Sequence, residues 1–256
     1  MPLTIHKADV RMTLTLSRPE QGNALSHDLV EALHDGLDEA LGNGTRMLVI
    51  EGEGRNFCTG FDLAGIEEAP DADLLMRFIR IEQLLARLWL APFATLAIAG
   101  GRCFGAGADL FAACSTRLAL PDASFSFPGA AFGLVLGTRR LAARIGEDEA
   151  LSIIASGETV DAEKALENGL ATGRVAETEL EMMVEKATAA AVRLDPETFA
   201  AIRCAAGDDP ALLDRDLAAL VRSAVRPGLA QRIRDYRAAM KRKHMQDKSA
   251  RPSSAH

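Results

Sequence analysis

Residues 100–114 read GGRCFGAGADLFAAC and form the most informative stretch of the sequence. It is a glycine-rich turn that follows an apolar run, Ala94 to Ala99, and opens directly into an apolar helical pattern. A second turn, residues 52–63, reads GEGRNFCTGFDL and follows the apolar run Met47 to Ile50. Backbone N–H groups at such turns and at helix N-termini point at anions or at developing oxyanions. The two turns can therefore converge on one carbonyl oxygen.

The pattern of apolar residues predicts the elements around these turns. Before residue 138, short strands alternate with amphipathic helices, and after it the chain reads mostly as helix. Strands alternating with helices, followed by helices alone, predict an α/β protein with a helical C-terminal region. Strand–helix repetition by itself would equally allow a doubly wound nucleotide-binding fold.

Four motifs in register resemble the crotonase superfamily, the enoyl-CoA hydratase/isomerase group. RPEQGNALS at Arg18–Ser26 resembles the segment after the first hairpin of that family, and FCTGFDL at Phe57–Leu63 resembles its F-[CSA]-A-G-x-D-[LI] turn. GAGADL at Gly105–Leu110 resembles its G-[GA]-G-x-[ED]-L helix start, and Gly157–Ala171 resembles its T-G-x-x-x-x-A…G-L-V segment. The resemblance covers roughly residues 1–240 in order.

The resemblance implies an α/β fold, a crotonase-like spiral of ββα units with a C-terminal helical trimerisation region. We expect the spiral core at residues 1–195 and the helical region at 196–240. Self-association as a homotrimer or a dimer of trimers is implied with it. Residues 241–256 are basic and then rich in Ser, Pro and Ala, so we expect a disordered tail.

The family stabilises the enolate of an acyl-CoA thioester with two backbone N–H donors. Matched to this sequence, the donors are the amides of Phe61 and Ala106, and the Phe61 side chain is expected to wall the acyl pocket. Coenzyme A enters as part of the substrate, and no separate cofactor is implied. The competing interpretation of the same residues is two ordinary glycine turns.

Contacts to the substrate are likewise implied by the resemblance. The positions that fall where the family contacts the nucleotide, the pantetheine and the acyl chain are Gln21, Gly22, Ala24, Gly60, Asp62, Leu63, Gly129 and Phe132. Asp62 has an equal alternative role as a local cap of its turn. Arg237, Lys241 or Lys243 could meet the phosphates, or form a solvated basic face.

The acid/base residues depart from the family pattern. Hydratases of this family use two glutamates, whose roles can separate when their environments push the pKa values apart. The first glutamate position is Asp109, one methylene shorter, and the second is Gly129. The segment from Gly129 to Gly137 has no ionisable side chain. Two-glutamate hydration is therefore disfavoured, whereas one carboxylate could relay a proton in an isomerisation, a decarboxylation or a retro-Claisen cleavage.

The sequence thus predicts an acyl-CoA isomerase or lyase of fatty acid metabolism. The alternatives are a non-catalytic acyl-CoA binder and an RNA-binding homologue. The net charge of −7 argues against nucleic acid as a partner, because phosphate binding needs clustered Lys and Arg. The longest apolar stretch is too short to span a bilayer, so no membrane association is expected.

The remaining reactive side chains are assigned structural places. The four cysteines, Cys58, Cys103, Cys114 and Cys204, lack metal-like spacing, so no metal is predicted and buried free thiols are expected. His27 and His34 of the first helix are expected at the surface. The N-terminus lacks a secretory pattern, and a cytoplasmic location is predicted.

Overall fold

The computed structural model describes the backbone of residues 1–250 and the side chains of residues 1–242. Strands and helices alternate in the first two thirds of the chain, and helices follow. The strands are β1 Leu3–Ala8, β2 Arg11–Leu16, β3 Met47–Gly52, β4 Ala94–Ala99, β5 Arg102–Phe104, β6 Thr116–Ala119, β7 Ser124–Ser126, β8 Val160–Asp161 and β9 Gly173–Arg174. The helices are α1 His27–Gly42, α2 Asp71–Trp89, α3 Ala106–Ala113, α4 Thr138–Ile145, α5 Glu147–Ser156, α6 Ala162–Glu167, α7 Leu180–Ala191, α8 Pro196–Ala205, α9 Pro210–Ala224 and α10 Leu229–Ala250.

Two sheets organise the strands. The larger one has the order β1-β2-β3-β4-β6-β9, and every pair in it is parallel except the β1–β2 hairpin. β3 and β4 lie at its centre and are almost entirely buried, which explains why both read as continuous apolar runs. The smaller sheet has the order β5-β7-β8. The predicted α/β class is that of the structure, whereas the short strands β5, β8 and β9 were not predicted.

Backbone pairing brings the two glycine turns together. Phe57 N donates to Gly100 O at 2.9 Å, and Phe104 N donates to Cys58 O at 2.9 Å. These bonds surround an isolated parallel bridge between Cys58 and Cys103, which continues the smaller sheet toward the first turn. The end of the first turn therefore lies beside the N-terminus of α3.

The C-terminal helices share a hydrophobic core with α2 rather than standing apart. Leu74 and Phe78 of α2 pack in one buried cluster with Leu220 of α9 and with Leu229 and Ile233 of α10. The predicted boundary at residue 195 falls at the turn into α8. The helices after that boundary complete the core around α2. The division of the chain into two regions remains a prediction.

The N-terminus of α10 is held by a carboxylate from another helix. Asp71, the first residue of α2, accepts backbone N–H bonds from Gly228, Leu229 and Ala230 at 2.8–3.1 Å. These amides and the dipole of α10 stabilise the negative charge, and they lower the pKa of Asp71. The expected disordered tail, residues 241–256, starts within α10 and ends outside the described residues, so its disorder remains a prediction.

His34 is the clearest error of the sequence interpretation. Its side chain is buried rather than at the surface, with Nε2 3.1 Å from Arg80 O and Nδ1 2.9 Å from a guanidinium nitrogen of Arg87. Burial lowers its pKa, so the ring stays neutral and bridges α1 to α2. The apolar periodicity of α1 did not predict the burial of His34. This residue lies beside the apolar stripe of the helix, and its contacts are with residues of α2.

Candidate functional site

Two backbone amides are left without acceptors where the turns meet. In the parallel bridge between Leu25 and Phe61, Leu25 N donates to Gly60 O and Asp62 N donates to Leu25 O. The N–H of Phe61 consequently points to the other side of its strand and has no acceptor among the described residues. Ala106 is the first residue of α3, so its amide has no partner within the helix. Both free donors belong to residues that line one cavity.

Gly60 is required for this arrangement. Its φ of +95° lies in the region that side chains avoid, and a Cβ there would stand 2.6 Å from Phe104 O and 3.4 Å from Ala106 N. The backbone of the first turn can therefore approach the start of α3 closely only with glycine at this position. The absence of a side chain also keeps the space between the two amides open to a ligand.

The residues that carry the two amides line an apolar cavity of about 390 Å³. Phe61 forms part of its wall and stacks on Phe78 with ring centroids 4.2 Å apart. The aromatic and aliphatic side chains on the wall are Phe61, Leu63, Phe78, Phe104, Phe127, Phe132, Leu134, Val135, Leu136, Leu141, Leu151, Ile154, Ile233 and Tyr236. A cavity of this size and lining suits an acyl chain.

Asp109 is the single carboxylate on the cavity wall among the described residues. It lies in the first turn of α3 and is 5 % exposed, and its Oδ1 is buried without a hydrogen-bond partner. Burial raises the pKa of Asp109 well above its ordinary range, while the positive charge of Arg140 opposes this shift and the charge of Glu82 adds to it. The raised pKa favours the neutral carboxyl group, which carries a proton that it can donate.

Gly137 closes the space behind this carboxyl group. It precedes α4 with φ of +69°, and a Cβ at this position would collide with Oδ1 of Asp109. The Asp109 side chain is thus packed against backbone on one side and faces the cavity on the other. Its position depends on the loop between Phe132 and Thr138.

No second carboxylate replaces the one that is missing at Gly129. Gly129 lies in a short 3-10 helix, Pro128–Phe132, and lines the cavity together with Phe132. The other polar side chains on the wall are the hydroxyl groups of Thr59, Thr138 and Tyr236. The wall therefore has one titratable carboxyl and one phenol, and among the described residues no Lys, Arg or His lines it.

A buried ion cluster lies behind the site. Arg140 is 1 % exposed and donates to Glu82 at 2.5 Å and to Asp216 at 3.0 Å, and Arg139 also binds Asp216. Burial raises the pKa of Glu82 in spite of this pairing. These residues tie α2, α4 and α9 together. Arg140 also supplies the positive charge that acts on Asp109.

Asp62 has local partners. Its Oδ2 is 2.9 Å from the Arg18 guanidinium, and its Oδ1 accepts the Ala64 N–H at 2.9 Å. Arg18 also donates to Ala24 O at 2.5 Å. This geometry supports the local capping role, and Asp62 does not line the cavity.

The other predicted coenzyme A contacts lie in the first turn or beside it. Thr59 N donates to Gly22 O at 2.9 Å, and the Thr59 hydroxyl approaches Gln21 O at 3.5 Å. Ala24 is buried, and Gly60 and Leu63 line the cavity. Their contacts with coenzyme A remain predictions.

The predicted basic contacts and the cysteines have separate places. Arg237 pairs with Glu67 at 3.3 Å, Lys241 is exposed, and the side chain of Lys243 lies outside the described residues. Cys58, Cys103 and Cys114 are buried, and burial raises the pKa of Cys58 and Cys114 to about 12. Cys204 is exposed. Within residues 1–242 no three His, Cys, Asp or Glu side chains cluster as metal ligands would.

Several residues of the site were missed by the sequence interpretation. Ile233 and Tyr236 of α10, which line the cavity, and Gly137, which packs against Asp109, come from parts of the chain without a recognisable motif. The signal that could have indicated Ile233 and Tyr236 is their spacing of three, which places both on one face of a helix. The chain contains a single tyrosine, so this position is chemically unusual.

Comparisons with known proteins agree on one family. The family model described as enoyl-CoA hydratase/isomerase matches residues 8–209. A "probable enoyl-CoA hydratase" of Mycobacterium bovis is 35% identical over 170 residues, which cover 65% of this chain and 68% of the relative. The ethylmalonyl-CoA decarboxylase of Gallus gallus is 30% identical over 181 residues, covering 69% of this chain and 61% of that protein.

The fold is also that of a solved structure. The crystal structure of an enoyl-CoA hydratase/isomerase candidate from Bordetella parapertussis superimposes with a TM-score of 0.90 at 48% sequence identity. The superposition covers 93% of this chain and 99% of the other. The predicted crotonase-like architecture is confirmed by this likeness. No helix in residues 1–250 combines the length and the apolar content that crossing a bilayer requires.

Proposed function

Because the chain belongs to the enoyl-CoA hydratase/isomerase family, we propose that it is an enzyme that stabilises the enolate of an acyl-CoA thioester. The thioester oxygen accepts the N–H groups of Phe61 and Ala106, and the acyl chain occupies the apolar cavity. The observation that supports this most is the coincidence of two free amides and one neutral carboxyl group on the wall of one cavity. Donors fixed in advance favour the state in which negative charge develops.

Asp109 acts in this proposal as the proton donor. Its raised pKa favours the protonated form, from which it can deliver a proton to the enolate carbon without prior activation. An enolate that forms by loss of carbon dioxide or of an acyl group suits this starting state. The name of the Gallus gallus relative describes a decarboxylase, and this is consistent with such a reaction.

Isomerisation needs one further step at the same residue. Asp109 must first lose its proton, accept one from the α-carbon, and return it at the γ-carbon. Hydration with two glutamates fits least well, because Gly129 stands where the second glutamate would be. A non-catalytic acyl-CoA binder is the competing function, and it would use the same cavity without the proton transfer.

The experiment that tests this proposal uses a panel of acyl-CoA esters. Purified protein is incubated with 2-enoyl, 3-enoyl, 3-hydroxyacyl, malonyl-type and β-keto members, and both binding and products are followed by mass spectrometry. Conversion of one member that Asp109→Asn eliminates supports the enzyme. Binding without any product favours the non-catalytic binder. Failure to bind any CoA ester contradicts the ligand assignment. Salt-sensitive binding of RNA instead of CoA esters would favour the RNA-binding homologue.

Assembly and location belong to the same proposal. We propose a homotrimer or a dimer of trimers, which the family resemblance implies, and a location in the cytoplasm. Light scattering on the purified full-length chain distinguishes the two assemblies from a monomer.

A further inference from the structure

Tyr236 is a polar group in the apolar wall of the cavity that the proposed reaction does not use. It is half-buried on α10, and its ring lies 5.3 Å from the ring of Phe132. Both residues line the cavity that also contains Asp109. The hydroxyl group has no hydrogen-bond partner among the described residues, and burial raises the pKa of the phenol. It is thus a neutral donor at physiological pH.

The helix that carries this phenol is firmly positioned. Asp71 binds three amides at the N-terminus of α10. One turn before Tyr236, Arg232 donates to the carbonyl oxygens of Phe132 and Gly133 at 3.0 and 3.3 Å. Residues four apart share one face of a helix, so Arg232 and Tyr236 both face the Pro128–Phe132 segment. The phenol is therefore held at a defined place on the wall.

The Tyr236 hydroxyl is accessible to solvent. An acyl chain that fills the cavity would remove this water, and a hydroxyl group left unpartnered in apolar surroundings is unfavourable. A site with such a group binds an analogue that lacks the matching polar atom less well, because the protein group then remains unpaired. The cavity offers no cationic side chain among the described residues to balance a permanent negative charge. The matching ligand atom is consequently an uncharged oxygen.

We infer that Tyr236 determines specificity by donating a hydrogen bond to an uncharged oxygen on the acyl chain, such as a keto, hydroxyl or ether oxygen beyond the thioester. This inference rests on the proposed function, since it takes the cavity to be the acyl site. It narrows the substrate class from acyl-CoA esters in general to esters with an oxygenated acyl chain. Tyr236 is in this role a binding residue, and Asp109 retains the proton transfer.

The test compares two kinds of saturated ligand, which bind without net reaction. Octanoyl-CoA is compared with octanoyl-CoA esters that carry one keto group at successive carbons beyond the β-carbon. Isothermal calorimetry gives Kd for the wild-type protein and for Tyr236→Phe, which keeps the ring and removes only the hydroxyl group. We expect one keto ester to bind the wild type about tenfold more tightly than octanoyl-CoA does.

In Tyr236→Phe this preference should disappear, because the keto ester loses its hydrogen bond and octanoyl-CoA no longer leaves a hydroxyl group unpaired. Equal affinities in the wild type, or a preference that survives Tyr236→Phe, would overturn the inference and leave the proposed function intact. Failure of both ligand types to bind would contradict the proposed function, and the inference with it.

A spectroscopic readout follows from the composition, because Tyr236 is the single tyrosine of the chain. Protein made with 3-fluorotyrosine gives one fluorine NMR signal, and this signal reports on Tyr236 alone. The favoured keto ester should shift it further than octanoyl-CoA does, because the hydrogen bond changes the electron density of the ring. The same shift with both ligands would contradict a bond to the keto oxygen.

Discussion

Asp62 and Asp109 are both buried aspartates beside the same turn, but their surroundings differ. Asp62 has a guanidinium and a backbone N–H within 2.9 Å, whereas Oδ1 of Asp109 has no partner and the pKa of its carboxyl group is raised by burial. The partnered carboxylate stabilises a turn, and in the proposed function the unpartnered carboxyl group of Asp109 transfers a proton. Counting the partners of each buried acid separates the two roles.

The largest expected effect separates the two acids by activity. Asp109→Asn keeps the size of the side chain but cannot transfer a proton, so turnover should fall by at least about a hundredfold. Affinity for the acyl-CoA ester should be retained. Asp62→Asn is the matched control in the same turn region and should keep most of the turnover. Steady-state kinetics and calorimetry of both variants make the comparison, and a larger loss of turnover in Asp62→Asn would reverse the assignment.

A third buried acid, Glu82, extends the comparison to a fully charged pair. Arg140→Met leaves Glu82 without its cation, while Asp216 keeps its pair with Arg139, and it should lower the free energy of unfolding by about 3–5 kcal/mol. The double variant with Glu82→Gln should recover part of this loss, because one uncompensated charge is removed. Chemical denaturation followed by the fluorescence of the single Trp89 measures both. Additive losses would mean that the pair is not coupled.

Two glycines test whether the close approach at the turn matters. Gly60→Ala and Gly65→Ala both place a side chain at positive φ, which costs about 1–2 kcal/mol. Only at Gly60 does the new Cβ meet backbone atoms, and this overpacking adds about 1–3 kcal/mol. Gly60→Ala should also lose acyl-CoA turnover, since it displaces the Phe61 and Ala106 amides. Equal acyl-CoA turnover by the two variants would show that the close approach of the first turn to α3 is not needed for activity.

Asp62 should show a smaller effect, and on stability alone. Asp62→Asn removes the charge that Arg18 meets, while the bond from Ala64 N can persist through the amide oxygen. The free energy of unfolding should fall by about 1–3 kcal/mol. Denaturant titration of this variant and of Arg18→Met tests the pair. A double variant that equals either single variant would demonstrate the coupling, and full additivity would refute it.

A further expected effect is a pH dependence of stability at Asp109. Its folded-state pKa lies above the value of about 3.9 in the unfolded chain, so the stability it contributes is fully present below that value and is lost as pH rises through the folded pKa. Asp109→Asn cannot ionise, so it should gain in Tm relative to the wild type as pH rises. If the difference in Tm between Asp109→Asn and the wild type stayed constant as pH rises, burial would not raise the pKa of Asp109.

The sequence predicted the α/β class, the longer strands and helices and the residues of both turns, because apolar periodicity and glycine positions are local signals. The strands β5, β8 and β9 have only two or three residues each, too few to show a periodicity. The resemblance to the family also predicted Phe61, Ala106 and Asp109, which the structure brings to one cavity. The family membership is confirmed by the matching model, whereas the roles of these residues remain predictions. The contacts of Tyr236 and Gly137 at the site could not be predicted, because they are made across the fold; helical spacing indicates only that Tyr236 and Ile233 share a face. His34 was misjudged for the same reason, since its burial depends on Arg80 and Arg87 of another helix.

Enolate formation with Asp109 as the proton-transfer group is tested most simply by deuterium exchange at the α-carbon of octanoyl-CoA in deuterated water. This measurement detects enolate formation without knowledge of the natural substrate. Wild-type protein should incorporate deuterium faster than buffer alone, at a rate that rises with pH as Asp109 ionises. Asp109→Asn should abolish the incorporation. No exchange with the wild type, or undiminished exchange with Asp109→Asn, would contradict proton transfer between Asp109 and a thioester held by the two amides.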